Sequence, residues 1–466
     1  MLQRGAYGSV NFAANRSLFA VSAFAARANC FLSSRKKPLK IQQKTMSSRF
    51  IPSKRYDGVD RNVWIEFTTL AAECKAVNLG QGFPDFSPPE HIKQALADVA
   101  AVDSVATYQY TRGVGHPRLV KTMSKLFSPL FGIEIDALKD ILITIGGYGA
   151  LYASISAFIE HEDEVIIVEP FFDCYEPMVK IAGGIPKFIP LKPKSKESAG
   201  TSAGWTLDRD ELEKMFNKNT KAIIINTPNN PLGKVYSREE LELIAEMCIK
   251  YDCLCISDEV YEWLLFEDNK HVRIASLPGM WDRTLTIGSA GKTFSVTGWK
   301  LGWAIGPSQL IKHLQTVWQN SVYTCPTPLQ EAVARGFETE MSRMGTDESY
   351  FKILPEQLQA KRDRMVQVLK DFGLKPIIPQ GGYFLIADIS SLNVDLSDSK
   401  DSGDAWDYRL VKWLTRNKKL ATIPTTAFYC KEHRHLTEKY IRFCFCKEDE
   451  TIEKMEKILK EWSKSM

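Results

Sequence analysis

The chain has 466 residues, 44% of them hydrophobic and 25% charged, with a formal net charge of +4. That length allows two or three domains and a core that needs no disulfide or metal staple. The first acid is Asp57, and Arg4, Arg16, Arg27, Arg35, Lys36, Lys37, Lys40 and Lys44 precede it. The remainder is near neutral, which argues against a nucleic-acid surface, and no apolar run reaches the roughly 18 residues that would cross a membrane.

Residues 1–45 are rich in Arg, Ser and Ala and free of acid, and Asn11 to Arg27 can form an amphipathic helix. This is the profile of a mitochondrial presequence; Leu18 to Ala26 also suits a secretory signal, but the flanking Arg16 and Arg27 favour import to the matrix. Met46 offers an internal start for a cytosolic form. The ten cysteines include no CxxC pair, and no metal site is expected. Cys253/Cys255 and Cys444/Cys446 have strand spacing and read as core, in a reducing or weakly oxidising compartment.

From Ile141 onward, short β-branched runs alternate with helix-length segments. Strands are expected at Ile141 to Ile145, Glu164 to Val168, Ala222 to Ile225, Cys253 to Ile256 and Thr284 to Ile287, with a helix from Gly149 to Ile159. This is an α/β pattern with a mostly parallel sheet covered on both faces, and ligands gather at the carboxyl ends of such strands. Lys192 to Gly204 and Asp395 to Gly403 read as surface loops. After about Gln330 the pattern becomes a smaller α+β unit, with helices at Leu358 to Phe372 and Asp407 to Thr415 and strands at Gly382 to Ile389 and Tyr440 to Phe445.

Each expected strand end carries a polar or glycine-rich cluster. The first runs into Gly146-Gly147-Tyr148-Gly149, where backbone amides at a helix start suit an anion. The others end in Glu169-Pro170-Phe171-Phe172, Asn226-Thr227-Pro228-Asn229-Asn230-Pro231, Ser257-Asp258-Glu259-Val260-Tyr261 and Ser289-Ala290-Gly291-Lys292. Singly these are turns, caps and a solvated lysine. Together they offer an anion cup, an aromatic face, an amide, a carboxylate, a phenol and an amine, which is what pyridoxal phosphate requires: an amine for its aldehyde, and a buried acid to keep its pyridine nitrogen protonated. A dinucleotide fingerprint is the rival reading of Gly147 and Gly149, with Glu164 or Glu169 as its acid. Tyr152 stands where its third glycine belongs, and the other strand ends would go unexplained.

Ser289-Ala290-Gly291-Lys292-Thr293-Phe294-Ser295-Val296-Thr297-Gly298-Trp299-Lys300-Leu301-Gly302 resembles the cofactor-lysine motif of class I aminotransferases. Asn78-Leu79-Gly80-Gln81-Gly82-Phe83-Pro84-Asp85, Pro170-Phe171-Phe172-Asp173-Cys174-Tyr175-Glu176-Pro177 and Ala275-Ser276-Leu277-Pro278-Gly279-Met280-Trp281 narrow the resemblance to the kynurenine aminotransferases, also called cysteine-S-conjugate β-lyases, and to their type-three branch. It runs from about Arg55 to the C-terminus. Lys300 departs from the Arg common in class I, and supplies its charge as a point donor instead of a fork. Thr324 stands where some relatives carry His.

The resemblance implies the pyridoxal-phosphate transferase fold of type I, with residues 46–90 as an arm and part of a small domain, 91–335 as the large domain and 336–466 as the C-terminal small domain. It implies transamination of L-kynurenine and related aromatic or sulfur-containing amino acids with a 2-oxo acid, and β-elimination as a second activity. Lys292 would hold pyridoxal phosphate and move the α-proton; Asp258 would pair with the ring nitrogen, Tyr261 and Asn230 with the ring oxygen, and Phe172 with the ring face. Gly147, Tyr148, Ser289 and Lys300 would surround the phosphate, joined by Tyr110 from a second subunit, which implies a homodimer with shared active sites. Arg442 would grip the substrate carboxylate with help from Asn230 and Gly82. Trp64, Tyr148, Tyr323 and Phe384 would form an aromatic wall.

Overall fold

Runs such as Ala222 to Ile225 can bury side chains on both faces only inside a covered sheet. A computed structural model, which describes residues 52–59, 62–396 and 403–464, places them there. The central sheet has seven strands: β1 (Ile141–Thr144), β2 (Glu164–Glu169), β3 (Ile185–Pro190), β4 (Thr220–Asn226), β5 (Leu254–Asp258), β6 (Thr284–Ser289) and β7 (Gly302–Ile305), in the order β1-β7-β6-β5-β4-β2-β3. The run from β6 to β3 is parallel. Only β7 opposes its neighbours. Ile223, Ile224 and Ile225 of β4 are at most 1% exposed, and burial of each such side chain stabilises by about 1.5–3 kcal/mol relative to exposure.

A second, antiparallel sheet contains β8 (Lys375–Ile377), β9 (Phe384–Asp388), β10 (Ile423–Pro424) and β11 (Tyr440–Cys444), in the order β8-β9-β11-β10. Lys54–Met466 forms one compact unit, and the expected boundary after residue 335 falls within the helix Thr327–Arg343. The expected presequence, and most of the Asp395 to Gly403 loop, lie outside the described residues. Among the described residues no helix is long and apolar enough to cross a membrane.

Three features position the cavity between the sheets. Helix α1 (Val63–Cys74) is capped by Asn62, whose side chain accepts from the Trp64 and Ile65 amides at 2.9 and 3.1 Å, so Trp64 is held in the first turn. Helix α2 (Gly146–Phe158) begins three residues earlier than the sequence pattern predicts, because Gly146 turns the chain at φ +65°. Gly302 of β7 lies so near this turn that a Cβ there would meet the Gly146 carbonyl carbon at 2.5 Å.

Candidate active site

The register of the central sheet sets Asn226 opposite Asp258 at the adjoining ends of β4 and β5. Asn226 Nδ2 donates to the Asp258 carbonyl at 2.9 Å, and its Oδ1 accepts from the Asn230 amide at 2.7 Å. One polar side chain therefore shapes the turn that carries Asn230. Asp258 is 3% exposed. Its Oδ2 accepts from Tyr175 Oη at 2.6 Å and its Oδ1 from the Val260 amide at 3.3 Å. Burial pushes its carboxyl up to about 6, although both hydrogen bonds favour the ionised form.

Beside it, β6 feeds a single helical turn, Ala290–Thr293, that carries Lys292. Its Nζ donates to the Gly82 carbonyl at 2.9 Å and lies 5.5 Å from the Tyr261 ring centre and 5.2 Å from that of Tyr383. Burial, with smaller contributions from the positive charges of Arg442 and Lys300, pushes this amine down to about 8. A fraction of it is then free to act as nucleophile or base near neutral pH, which an ordinary lysine is not.

No side chain caps the N-terminus of α2, so its first amides remain open to an anion. Lys300 reaches the same place: a Cβ on Gly146 would sit 3.5 Å from its Nζ. Ser289 and Thr297 complete this end of the cavity.

The opposite end is built by the second sheet. Arg442 of β11 is fully buried. Its Nη1 donates to Asn230 Oδ1 at 2.9 Å and its Nη2 to the Gly80 carbonyl, while its Nε is buried without a partner. The guanidinium lies 3.9 Å from the Phe384 ring centre, 5.0 Å from that of Trp64 and 5.1 Å from that of Phe428. Burial lowers it to about 10, which leaves it charged at neutral pH. Trp64 is fixed by an indole bond to Asp173 Oδ2 at 2.8 Å. Phe172 stands between Trp64 and Tyr148, its ring centre 6.2 and 5.5 Å from theirs.

Between these ends lies a cavity of about 350 Å³. It brings together Lys292, Asp258, Tyr261, Asn230, Phe172, Gly147, Tyr148, Ser289, Lys300, Gly82, Arg442, Trp64 and Phe384. Tyr110 and Tyr323 do not line it; they are 81% and 51% exposed and meet edge to face at 5.6 Å. Tyr175, Tyr383 and the shaping role of Asn226 emerge only from the fold. Tyr175 and Asn226 stand inside motifs that had been singled out, but the partners they serve are set by the fold.

The donor set fits pyridoxal phosphate: a near-neutral amine, a buried carboxylate for the ring nitrogen, an aromatic face, and an uncapped helix start with a lysine for the phosphate. The sequence profile of the aminotransferase class I and II family matches residues 75–458. The chain belongs to that family. This aminotransferase is accordingly pyridoxal-phosphate dependent, and its two-sheet architecture is that of fold type I. It is 57% identical to kynurenine–oxoglutarate transaminase 3 of Homo sapiens over 450 residues, covering 94% of this chain and 98% of that protein. To kynurenine–oxoglutarate transaminase 1 of Homo sapiens it is 50% identical over 415 residues, covering 88% and 98%. Among solved structures, Bna3p of Saccharomyces cerevisiae, described as a candidate kynurenine aminotransferase, superposes with TM-score 0.83 at 32% identity, covering 89% of this aminotransferase and all of that chain. A mutant aspartate aminotransferase of Thermus thermophilus gives TM-score 0.76 at 26% identity, with coverages of 89% and 100%.

Proposed function

We propose that this aminotransferase moves the amino group of L-kynurenine, and of related aromatic or sulfur-containing amino acids, to a 2-oxo acid, so that kynurenine yields kynurenic acid. The observation that carries this reading is the shared cavity: Lys292 and Arg442 face one space, and the wall between them is aromatic. The relatives named above point the same way. Bound pyridoxal phosphate supplies an aldehyde for the amino group and a ring that withdraws electrons from the α-carbon.

The chain's own residues do the rest. Arg442 offers its fork to the α-carboxylate and, with Asn230, fixes the α-carbon near Lys292. The Lys292 amine takes the α-proton and would return it two atoms away, to the cofactor carbon that receives the amino group, which its lowered basicity permits near neutral pH. The Asp258 carboxylate keeps a proton on the ring nitrogen. Tyr261 and Asn230 hold the ring oxygen, and Phe172 holds the ring face. Trp64, Tyr148 and Phe384 exclude water and receive a flat side chain. With a leaving group on the β-carbon, the same proton removal supports elimination, so cysteine S-conjugates are proposed as secondary substrates. Tyr110, exposed on a single chain, is proposed to reach the phosphate of a second copy, making a homodimer with shared sites. The basic N-terminal stretch is proposed to direct the chain to the mitochondrial matrix, with Met46 starting a cytosolic form.

The test is the visible absorbance of the purified protein before and after L-kynurenine is added without any oxo acid. Loss of the band of the lysine-bound cofactor is the expected result. A band that kynurenine leaves unchanged would move the donor elsewhere, and no band after addition of pyridoxal phosphate would remove Lys292 from its role.

A further inference from the structure

Glu169 closes β2 with its side chain fully buried. Its carboxylate faces a segment that follows β10: the Cys430 amide and His433 Nδ1 both meet it. Cys430 caps the 3₁₀ turn Lys431–Leu436, and His433 lies in its first three residues. Three residues per turn set positions i and i+3 one above the other, so the thiol and the imidazole face the same way, toward Glu169. One carboxylate oxygen, the sulfur and one ring nitrogen all lie within 4.8 Å of each other. Tetrahedral zinc, with bonds of about 2.0–2.3 Å, separates its donors by roughly 3.3–3.7 Å. The three groups can therefore close on one ion once small side-chain shifts separate His433 from Glu169.

We propose that Glu169, Cys430 and His433 form a binding site for a divalent transition metal of the zinc type, with water as the fourth ligand. The donor set selects the metal: thiolate and imidazole favour zinc and its neighbours, whereas magnesium and calcium require oxygen donors. His433 is 28% exposed at its side chain, which gives the ion an entrance and the water a place. Binding breaks the S–H bond of Cys430 and forms a metal–sulfur bond, with the proton released to solvent. No oxidant or reductant takes part.

The alternative is an ion pair between His433 and Glu169 to which the Cys430 amide and its protonated thiol both donate, an arrangement that never needs the thiolate. Cys430 is therefore the discriminating residue. The site stands apart from the cavity, but it has a mechanical connection to it. The Phe171 amide donates to the Phe428 carbonyl at 2.9 Å, and Phe172 follows directly. A metal here would pin the turn after β10 to the end of β2 and so stiffen the support of Phe172, without touching substrate.

The experiment uses untagged holoenzyme, cleared with a chelator and then titrated with Zn²⁺ or Co²⁺ alone. About one ion per chain is expected, and Co²⁺ should give tetrahedral d–d bands at longer wavelength than the cofactor absorbs. Cys430→Ser should shift and weaken those bands and weaken Zn²⁺ at least tenfold, and His433→Ala should weaken it similarly. An excess of Mg²⁺ should not displace the ion. Cofactor absorbance and thermal unfolding of each variant without metal verify that it is folded. Failure of the wild type to take up stoichiometric metal would overturn the site, as would Cys430→Ser and His433→Ala variants that bind Zn²⁺ as tightly as the wild type.

Discussion

The two ends of the cavity bury charge in opposite ways. At the cofactor end, Asp258 and Lys292 sit where burial drives each toward its neutral form, to about 6 and about 8 respectively. At the carboxylate end, Arg442 is buried at least as deeply, yet at about 10 it remains charged. Its guanidinium starts from so high a value that burial cannot discharge it, and it is further supported by Asn230, the Gly80 carbonyl and three aromatic faces. The difference separates the tasks. Lys292, proposed to exchange protons, is tuned close to neutrality, and Asp258 beside it stays mostly ionised at pH 7, whereas Arg442, proposed to hold an anion, is kept beyond titration.

On that division, changes at the cofactor end act on rate and changes at the other end act on binding. The largest effect is expected from Lys292→Ala, which removes the proposed attachment and proton carrier together and should lower kcat by more than about 10⁴-fold. Turnover at the wild-type rate would contradict the assignment outright. Asp258→Asn preserves shape but not charge, and should cost about 10²–10³-fold in kcat, the scale of one oriented electrostatic partner, with folding intact. A wild-type rate in this variant would take Asp258 out of the chemistry.

Arg442 tests the other side of the comparison. Arg442→Ala should raise KM for amino acids by about 10²-fold, since a buried charge-paired contact typically contributes about 2–5 kcal/mol, and should leave the cofactor's absorbance in place. Arg442→Lys retains the charge but loses the fork, and should recover only part of the loss. If kcat were to fall while KM held, binding and rate would not be divided between the two ends.

Much of this division was legible in the sequence. Every strand end that faces the cofactor announced itself as an apolar run broken by a polar cluster, and Arg442 stood out between Ile441 and Phe443. The failures have physical causes. The strand β3 carries Pro186 and Pro190, which a central strand would not accept, and it is the edge of its sheet, where a missing N–H donor is tolerated. The strand β7 is only four residues long, and its Gly302 had been absorbed into the lysine motif. Tyr110 and Tyr323 were assigned by resemblance, and one chain alone does not bring them to the cavity. The Cys430–His433 spacing carries meaning only once the fold delivers Glu169, which is 261 residues from Cys430. Tyr175 is the same kind of case: its bond to Asp258 spans 83 residues, and nothing local in the sequence points to it.

That bond supports the finest test. Tyr175 favours the ionised form of Asp258, and a hydrogen bond to a charged group contributes about 1.5–3 kcal/mol, which corresponds to roughly 1–2 pKa units. Tyr175→Phe should therefore move the Asp258 carboxyl from about 6 toward neutrality or above. The sign follows from linkage. An acid raised by folding from 3.8 to about 6 stabilises the apoprotein fully below 3.8, and that contribution is lost as pH rises through about 6. In Tyr175→Phe the loss should extend to higher pH, so thermal unfolding of the apoprotein should show the late part of this decline above pH 6 in the variant and not in the wild type. Cofactor affinity at pH 7 should fall about 2- to 10-fold, as fewer chains present an ionised Asp258, and should recover by pH 9. Identical pH profiles in variant and wild type would mean that Tyr175 merely fills space beside Asp258, and that the tuning at the cofactor end comes from burial alone.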